Sequence, residues 1–382
     1  MPLLVLTAGF FATSAMTVAS PPPSEQLKVI LKDYQDRVDA FWKAHGEVKD
    51  ARDRDDYYRK NYPRPSEVFP RLLALAEKQP KDAAAVDALL WIVEQSTQGD
   101  DQNRAFGIMR RDHLADEKIV AAFYRADDEF LRIALEQSPL RNVRGHACYA
   151  LGENRIRSLR EVKRFRRENP EWRKRMWLKG TGHGFLVTTD VEQVTKEADQ
   201  WFERTCREFS DVPIEGRRNG SALGVFARGY LHEIRDLAIG KPAPDLKCAA
   251  LDGNPVRLSE LKGRVVVVDV WATWCGPCKS MIPHQRELVK RLKEKPFTLI
   301  SISVDEKRET IVDFLKKEPM PWTHWYNGDK DGVIPDLNVR AFPTIYVIDS
   351  RGVIRDKDVR GKALDEAVEK LLKEMDENSS PK

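Results

Sequence analysis

The sequence has 382 residues, more than one ordinary domain holds, and its 41% apolar content is enough to fill two or three separate cores. Its 64 basic and 60 acidic side chains leave a formal charge of +4 over a large surface, which points to no polyelectrolyte partner and gives no reason to expect nucleic acid. The cysteines are Cys148, Cys206, Cys248, Cys275 and Cys278; they are too few for a disulfide-held scaffold, and only the last two stand close together.

Residues 1–19 carry no charged side chain, and Ser20-Pro21-Pro22-Pro23 cannot prolong a helix. The pattern reads as a signal peptide cleaved after Ala19, with Thr17 and Ala19 as the small recognition residues, although a basic n-region is missing. This predicts export to the periplasm or cell envelope. The alternative is a retained anchor, since roughly 20 apolar residues span a bilayer. The small residues between Ala12 and Ala15 weigh against it by diluting the hydrophobicity.

Residues 24–236 read as an α-helical domain. Leu27, Ile30, Leu31, Tyr34, Val38 and Phe41 recur at three- and four-residue spacing. The run Asp53 to Asp56, with Pro63 and Pro65, predicts the break after the first long helix. The segment from Ala76 to Ala88 aligns without gaps on Leu135 to Ala147, each copy reading as helix, proline turn, helix. The second copy continues to Gly152 and resembles the inner helix of a HEAT-type repeat. Two imperfect copies fall short of the roughly three units a solenoid needs, so an irregular helical bundle or short array is predicted. The basic stretch from Arg155 to Lys179 contains Trp172 and Trp177, a mixture that can hold nucleic acid. Glu161, Glu168 and Glu171 interrupt it, and it reads better as a solvated helix face with the tryptophans packed inward. Gly180 to Gly184, with His183, is a loop without the setting of a phosphate-binding motif.

A second domain is predicted over residues 237–376, followed by a disordered tail, 377–382. Gly240 to Asp245 is a proline-rich opening and Leu251 to Asn254 a tight turn. Arg264 to Val270 is a β-branched run suited to a central strand buried on both faces. A helix to about Glu294, a strand from Thr298 to Val304 and a helix from Glu309 to Lys317 follow. Strands at Thr344–Ile348 and Val353–Arg355 flank the turn Asp349 to Gly352, and a final helix runs from Leu364 to Met375. Strands alternating with helices predict a mixed sheet covered on both faces.

Cys275-Gly276-Pro277-Cys278 lies between the apolar strand and the next helix. A thiolate at a helix N-terminus is stabilised by unpaired backbone N–H groups, so Cys275 is expected to ionise more readily than a free thiol, whose pKa is about 8.5. Cys278, one turn later, can then attack the mixed disulfide. Half of a zinc site is the competing reading, but no second close cysteine pair or suitably spaced histidine accompanies it.

The segment from Val268 to Cys278 resembles the active-site segment of thioredoxins. The opening at Gly240–Asp245 and the insertion Gly328–Pro335 resemble the TlpA-like, or redoxin, branch of that superfamily. The resemblance covers roughly Leu237 to Met375 and implies a thioredoxin fold, a central mixed sheet flanked by helices, and thiol-disulfide oxidoreductase activity with no cofactor. It implies that Pro343 is a cis-proline beside the reactive sulfur, and that Trp274, Gly276, Pro277, Phe342 and Pro343 form the substrate-binding surface. A cis X-Pro bond costs only about 0.5 to 1 kcal/mol, so a fixed site can hold it. Pro283 matches a proline that kinks the active-site helix. Asp269, six residues before Cys275 in an apolar strand, stands where thioredoxins keep a buried carboxylate. Burial raises a carboxyl pKa, and such a group can accept the proton of Cys278 as it attacks. Many TlpA-like members instead carry Glu three residues after the second cysteine, where Met281 stands here.

The Gly-Pro spacer resembles that of reducing members, implying an exported reductase that acts on protein thiol and disulfide clients. A membrane electron donor and peripheral membrane association fit that setting. Peroxidase activity is the second enzyme reading, disfavoured because Ala272 stands where a peroxidatic site needs Thr. A third is that the helical half is an interaction scaffold and the redox domain its accessory. Trp271 and Trp274 are expected to pack around the motif; Cys148, Cys206 and Cys248 to be buried or incidental; His284 and His324 to be surface or core residues.

Overall fold

The computed structural model describes residues 21–97, 99–214, 221–328 and 332–379; the charge-free segment 1–19 lies outside them. Through Arg235 the regular elements are helices: α1 (Pro23–Glu47), α2 (Ala51–Asn61), α3 (Phe69–Lys78), α4 (Ala83–Gln95), α5 (Asp100–Asp112), α6 (Asp128–Gln137), α7 (Arg141–Glu168), α8 (Phe185–Thr188), α9 (Val191–Glu208) and α10 (Leu223–Arg235). No helix among the described residues is long and apolar enough to cross a membrane.

The periodic residues Leu27, Ile30, Tyr34, Val38 and Phe41 of α1 are buried, as their spacing predicts. The break after α1 comes earlier than the acidic run. Asp50 caps α2, its carboxylate accepting from the Arg52 amide at 2.8 Å, and the charged run then forms the body of a helix with no buried residue. The two aligned segments each form helix, turn and helix, α3 with α4 and α6 with α7. The tryptophans of the basic stretch do not both pack inward, because residues 172–180 form a 3-10 stretch kinked at Arg175 and present no single inward face. Trp172 lies beneath the Arg166 guanidinium at 4.0 Å, and Trp177 is 70% exposed.

The described residues form two compact units that divide inside α7, between Ala150 and Leu151. The change from helices to strands falls after Arg235, close to the compositional change, but α9 and α10 belong to the same unit as the sheet.

That sheet has seven strands: β1 (Lys247–Ala250), β2 (Pro255–Arg257), β3 (Val265–Trp271), β4 (Phe297–Ser303), β5 (Thr323–Tyr326), β6 (Thr344–Ile348) and β7 (Ile354–Lys357). Their order is β2-β1-β5-β4-β3-β6-β7. Strand β3 runs parallel to β4 and antiparallel to β6, and β4 runs parallel to β5, giving the expected mixed sheet. Alternate β3 residues divide between two cores. Val265 and Val267 pack with Leu288 of α12 (Ile282–Arg291) and with Leu364, Val368 and Leu371 of α15 (Lys362–Ser379). Val266, Val268 and Val270 pack on the other face with Ile311 of α13 (Arg308–Lys317). All seven residues of β3 are buried, as its unbroken β-branched run predicts.

The interruption of the active-site helix at Pro283 follows expectation, and two other details depart from it. The helix after the cysteine motif is split into α11 (Gly276–Lys279) and α12, because Pro283 lacks an N–H and its ring crowds the carbonyl of Lys279. Strands β1 and β2, which flank the expected turn, strand β5 and the short α14 (Val333–Asp336) occupy sequence to which no element was assigned. Helix α15 continues to Ser379, into the segment expected to be a disordered tail, while residues 380–382 lie outside those described.

Ile300, fully buried in β4, holds the core on the α13 side. Ile300→Ala should cost about 2 to 5 kcal/mol, read as a lower denaturant midpoint for the transition of the sheet-bearing unit.

Candidate active site

Strand β3 delivers its C-terminal end to a short loop, and Cys275 caps α11 directly after it. Cys275 and Cys278 form a disulfide with Cα atoms 5.3 Å apart. The Cys278 amide donates to Cys275 Sγ at 3.1 Å. Both residues are buried, at 5% and 4% exposure, whereas Gly276 and Pro277 between them are exposed. Trp271 is buried, but Trp274 is 66% exposed, so of the two tryptophans only Trp271 packs inward.

The Phe342–Pro343 bond is cis and Pro343 is buried. Phe342 packs against the core that contains both cysteines, its ring centroid 5.6 Å from that of Trp274 in an edge-to-face arrangement. The structure thus brings together Trp274, Cys275, Cys278, Phe342 and Pro343, residues from two separated parts of the chain.

Asp269 lies in β3 opposite Ser301 of β4 and Ile345 of β6, and is 4% exposed. Gln285 of α12, itself buried, donates Nε2–H to Asp269 Oδ2 at 2.9 Å. Ser301 Oγ lies 3.5 Å from the same oxygen and accepts from Trp322 Nε1 at 2.9 Å. The other carboxylate oxygen, Oδ1, is buried without a hydrogen-bond partner among the described residues. Burial pushes this carboxyl up to about 6, against the lowering effects of Gln285, Ser301 and Arg360.

A second buried carboxylate escaped the sequence reading. Asp305, 2% exposed, accepts from the Thr273 amide at 3.2 Å, from Thr273 Oγ1 at 2.8 Å and from Ser303 Oγ at 2.7 Å. Thr273 stands two residues before Cys275, so Asp305 ties the approach to the motif onto the end of β4. Ser301, Ser303 and Asp305 alternate with Ile300, Ile302 and Val304, and that polar file inside an apolar strand was the available signal.

The remaining candidates stay outside this constellation. His284 pairs with Asp365 at 3.1 Å, and His324, half-buried, directs Nε2 to the Met320 carbonyl at 2.9 Å. Burial pushes the Cys248 thiol up to about 12 and raises Cys206, and Cys148 is buried. Among the described residues no group of three or more His, Cys, Asp or Glu could hold a metal ion.

The Asp269 carboxyl sits above its ordinary value near 3.8, so the native protein holds the proton more tightly than the unfolded chain. Its contribution to stability is full below about pH 4 and is lost as pH rises through about 6, a change on the order of 3 kcal/mol. In denaturant titrations of the oxidised protein, the stability of wild type relative to Asp269→Asn should fall by that order between these limits. A difference that does not vary with pH refutes the raised carboxyl. Asp305→Ala strands the Thr273 amide and hydroxyl and should cost about 2 kcal/mol, with Asp305→Asn, which keeps an acceptor, milder by the same measurement.

Residues 239–357 match the family described as AhpC/TSA family. The thiol-disulfide oxidoreductase ResA of Bacillus cereus is 30% identical over 158 residues, which cover 41% of this chain and 90% of that protein. The thioredoxin-like protein YneN of Bacillus subtilis is 33% identical over 133 residues, covering 35% of this chain and 78% of that one. Among solved structures, the thioredoxin domain of a thiol-disulfide oxidoreductase from Bacteroides vulgatus is 31% identical and covers 36% of this chain and 99% of its own, with a TM-score of 0.34. Through its C-terminal region the chain belongs to the thioredoxin-like thiol-disulfide oxidoreductases of the AhpC/TSA family.

Proposed function

We propose that the protein reduces disulfides of extracytoplasmic protein clients, with Cys275 as nucleophile, Cys278 as resolving thiol and Asp269 as proton acceptor. The observation that carries this reading is the buried Cys275–Cys278 pair at the end of β3, beside the cis-Pro343 loop. In the reduced protein Cys275 attacks one sulfur of the client disulfide and expels the other as a thiolate. Cys278 then attacks Cys275 Sγ, expelling the second client thiolate and closing the intramolecular disulfide, so that two electrons pass to the client. A donor of two electrons, proposed to be membrane-borne, must reopen that disulfide for each turnover.

Each side chain has a stated task. The Cys278 N–H that points at Cys275 Sγ favours the anionic nucleophile. Asp269, raised towards neutrality, is suited to take the Cys278 proton, because a base works best when its pKa lies near the operating pH. Exposed Trp274, Gly276 and Pro277, with Phe342 and Pro343, offer the client a surface around a sulfur that is itself little exposed. The reducing direction is favoured by the Gly-Pro spacer, and export by the charge-free residues 1–19.

Insulin reduction with dithiothreitol as donor is the direct assay. Cys275→Ser should abolish it, and Cys278→Ser should accumulate the client mixed disulfide on a non-reducing gel. Asp269→Asn should slow the resolving step about 10²-fold and flatten the rise in rate as pH climbs through about 6. An unchanged pH profile removes Asp269 from the proton transfer. Peroxide consumption without insulin reduction replaces the reductase with a peroxidase.

A further inference from the structure

The loop that leads to the cis-proline is held by a helix from the predominantly helical part of the chain. Alternate residues from the end of α14 into that loop each meet α10. The Asp336 carbonyl lies 3.0 Å from His232 Nε2. Asn338, at a left-handed φ of 46°, donates Nδ2–H to Glu233 at 3.4 Å. Arg340 places its guanidinium 3.4 Å from the centre of the Tyr230 ring and donates to the Phe226 carbonyl at 3.3 Å. The Phe226 carbonyl and the Tyr230 and Glu233 side chains, at helical spacing along α10, are the groups that meet the loop.

Tyr230 is a fixed platform. It is 5% exposed, its ring stacks on Phe202 of α9 at 4.4 Å, and its hydroxyl donates to Glu153 at 3.1 Å. The approach is too close for a side chain at Gly229, where a Cβ would stand 2.7 Å from Asn338 Oδ1 and 3.2 Å from an Arg340 nitrogen. Two residues beyond Arg340 is Phe342, whose ring meets Trp274 next to Cys275. Packed contacts therefore run from α9 and α10 to the surface around the reactive sulfur.

We propose that α10, through the Tyr230–Arg340 stack, positions the 338–343 loop and so sets the affinity for polypeptide clients; Tyr230 and Arg340 are positioning residues. This rests on the oxidoreductase reading. On that reading an extended polypeptide disulfide lies along Phe342 and Pro343 to present its sulfur, whereas a small disulfide needs only access to Cys275. Displacing the loop therefore penalises the first more than the second, and small misplacements at a binding surface carry large rate costs.

The test uses the full chain, with insulin and a small aromatic disulfide as alternative substrates. Arg340→Ala and Tyr230→Leu should lower the ratio of kcat/KM for insulin to kcat/KM for the small disulfide about tenfold, chiefly through the KM for insulin. Tyr230→Phe, which keeps the ring, should retain the ratio, and Arg340→Lys should recover part of it. Arg340 is exposed, so its variants carry the test should Tyr230→Leu fail to fold. A ratio unchanged within twofold in Arg340→Ala overturns the proposal. So does a parallel fall for both substrates with a lowered melting temperature, which marks a merely structural contact. Absence of insulin reduction in the wild type instead overturns the reductase reading itself.

Discussion

The enclosure of β3 on both faces is the constraint from which the rest follows. Its backbone is paired to β4 on one side and β6 on the other, and its side chains enter two separate cores. A one-residue slip would exchange those sets, so the register is fixed and with it the point where the chain leaves the sheet. Cys275 is presented at that point and Asp269 is confined below it, both by the burial of five valines.

Two buried carboxylates, one within β3 and one just after β4, lie in different surroundings. Asp305 is surrounded by donors from Thr273 and Ser303, and holds the loop ahead of the cysteines. Asp269 has one close donor, Gln285, and one unpartnered oxygen. A buried carboxylate with full hydrogen bonding fixes structure, and one without it favours its proton. The same residue type thus serves as an anchor in one place and as a group raised towards neutrality in the other.

Much of the redox region was legible in sequence. The unbroken run at Val265–Val270 and the cysteine pair after it mark a central strand and what it presents. The short β5 was not, because four residues with a half-buried pattern give too little periodicity, and its pairing with β1 and β4 is non-local. Gln285 looked like an ordinary helix residue, since nothing local reveals that α12 turns it onto Asp269. Helix α10 was read with the helices before it, yet its partners Asp336, Asn338 and Arg340 lie roughly a hundred residues later in the chain.

What the sequence by itself determined is local: apolar runs and spacing that select strands and helices, prolines that end them, and a two-residue spacer that lets two thiols bridge. Only the tertiary structure decided which buried carboxylate keeps an unpartnered oxygen, that Trp274 stays exposed while Trp271 does not, and that helices from before the redox region share its compact unit. The reason is physical. Periodicity reports which face of an element avoids water, whereas hydrogen-bond partners and electrostatic surroundings depend on which distant elements come to cover that face.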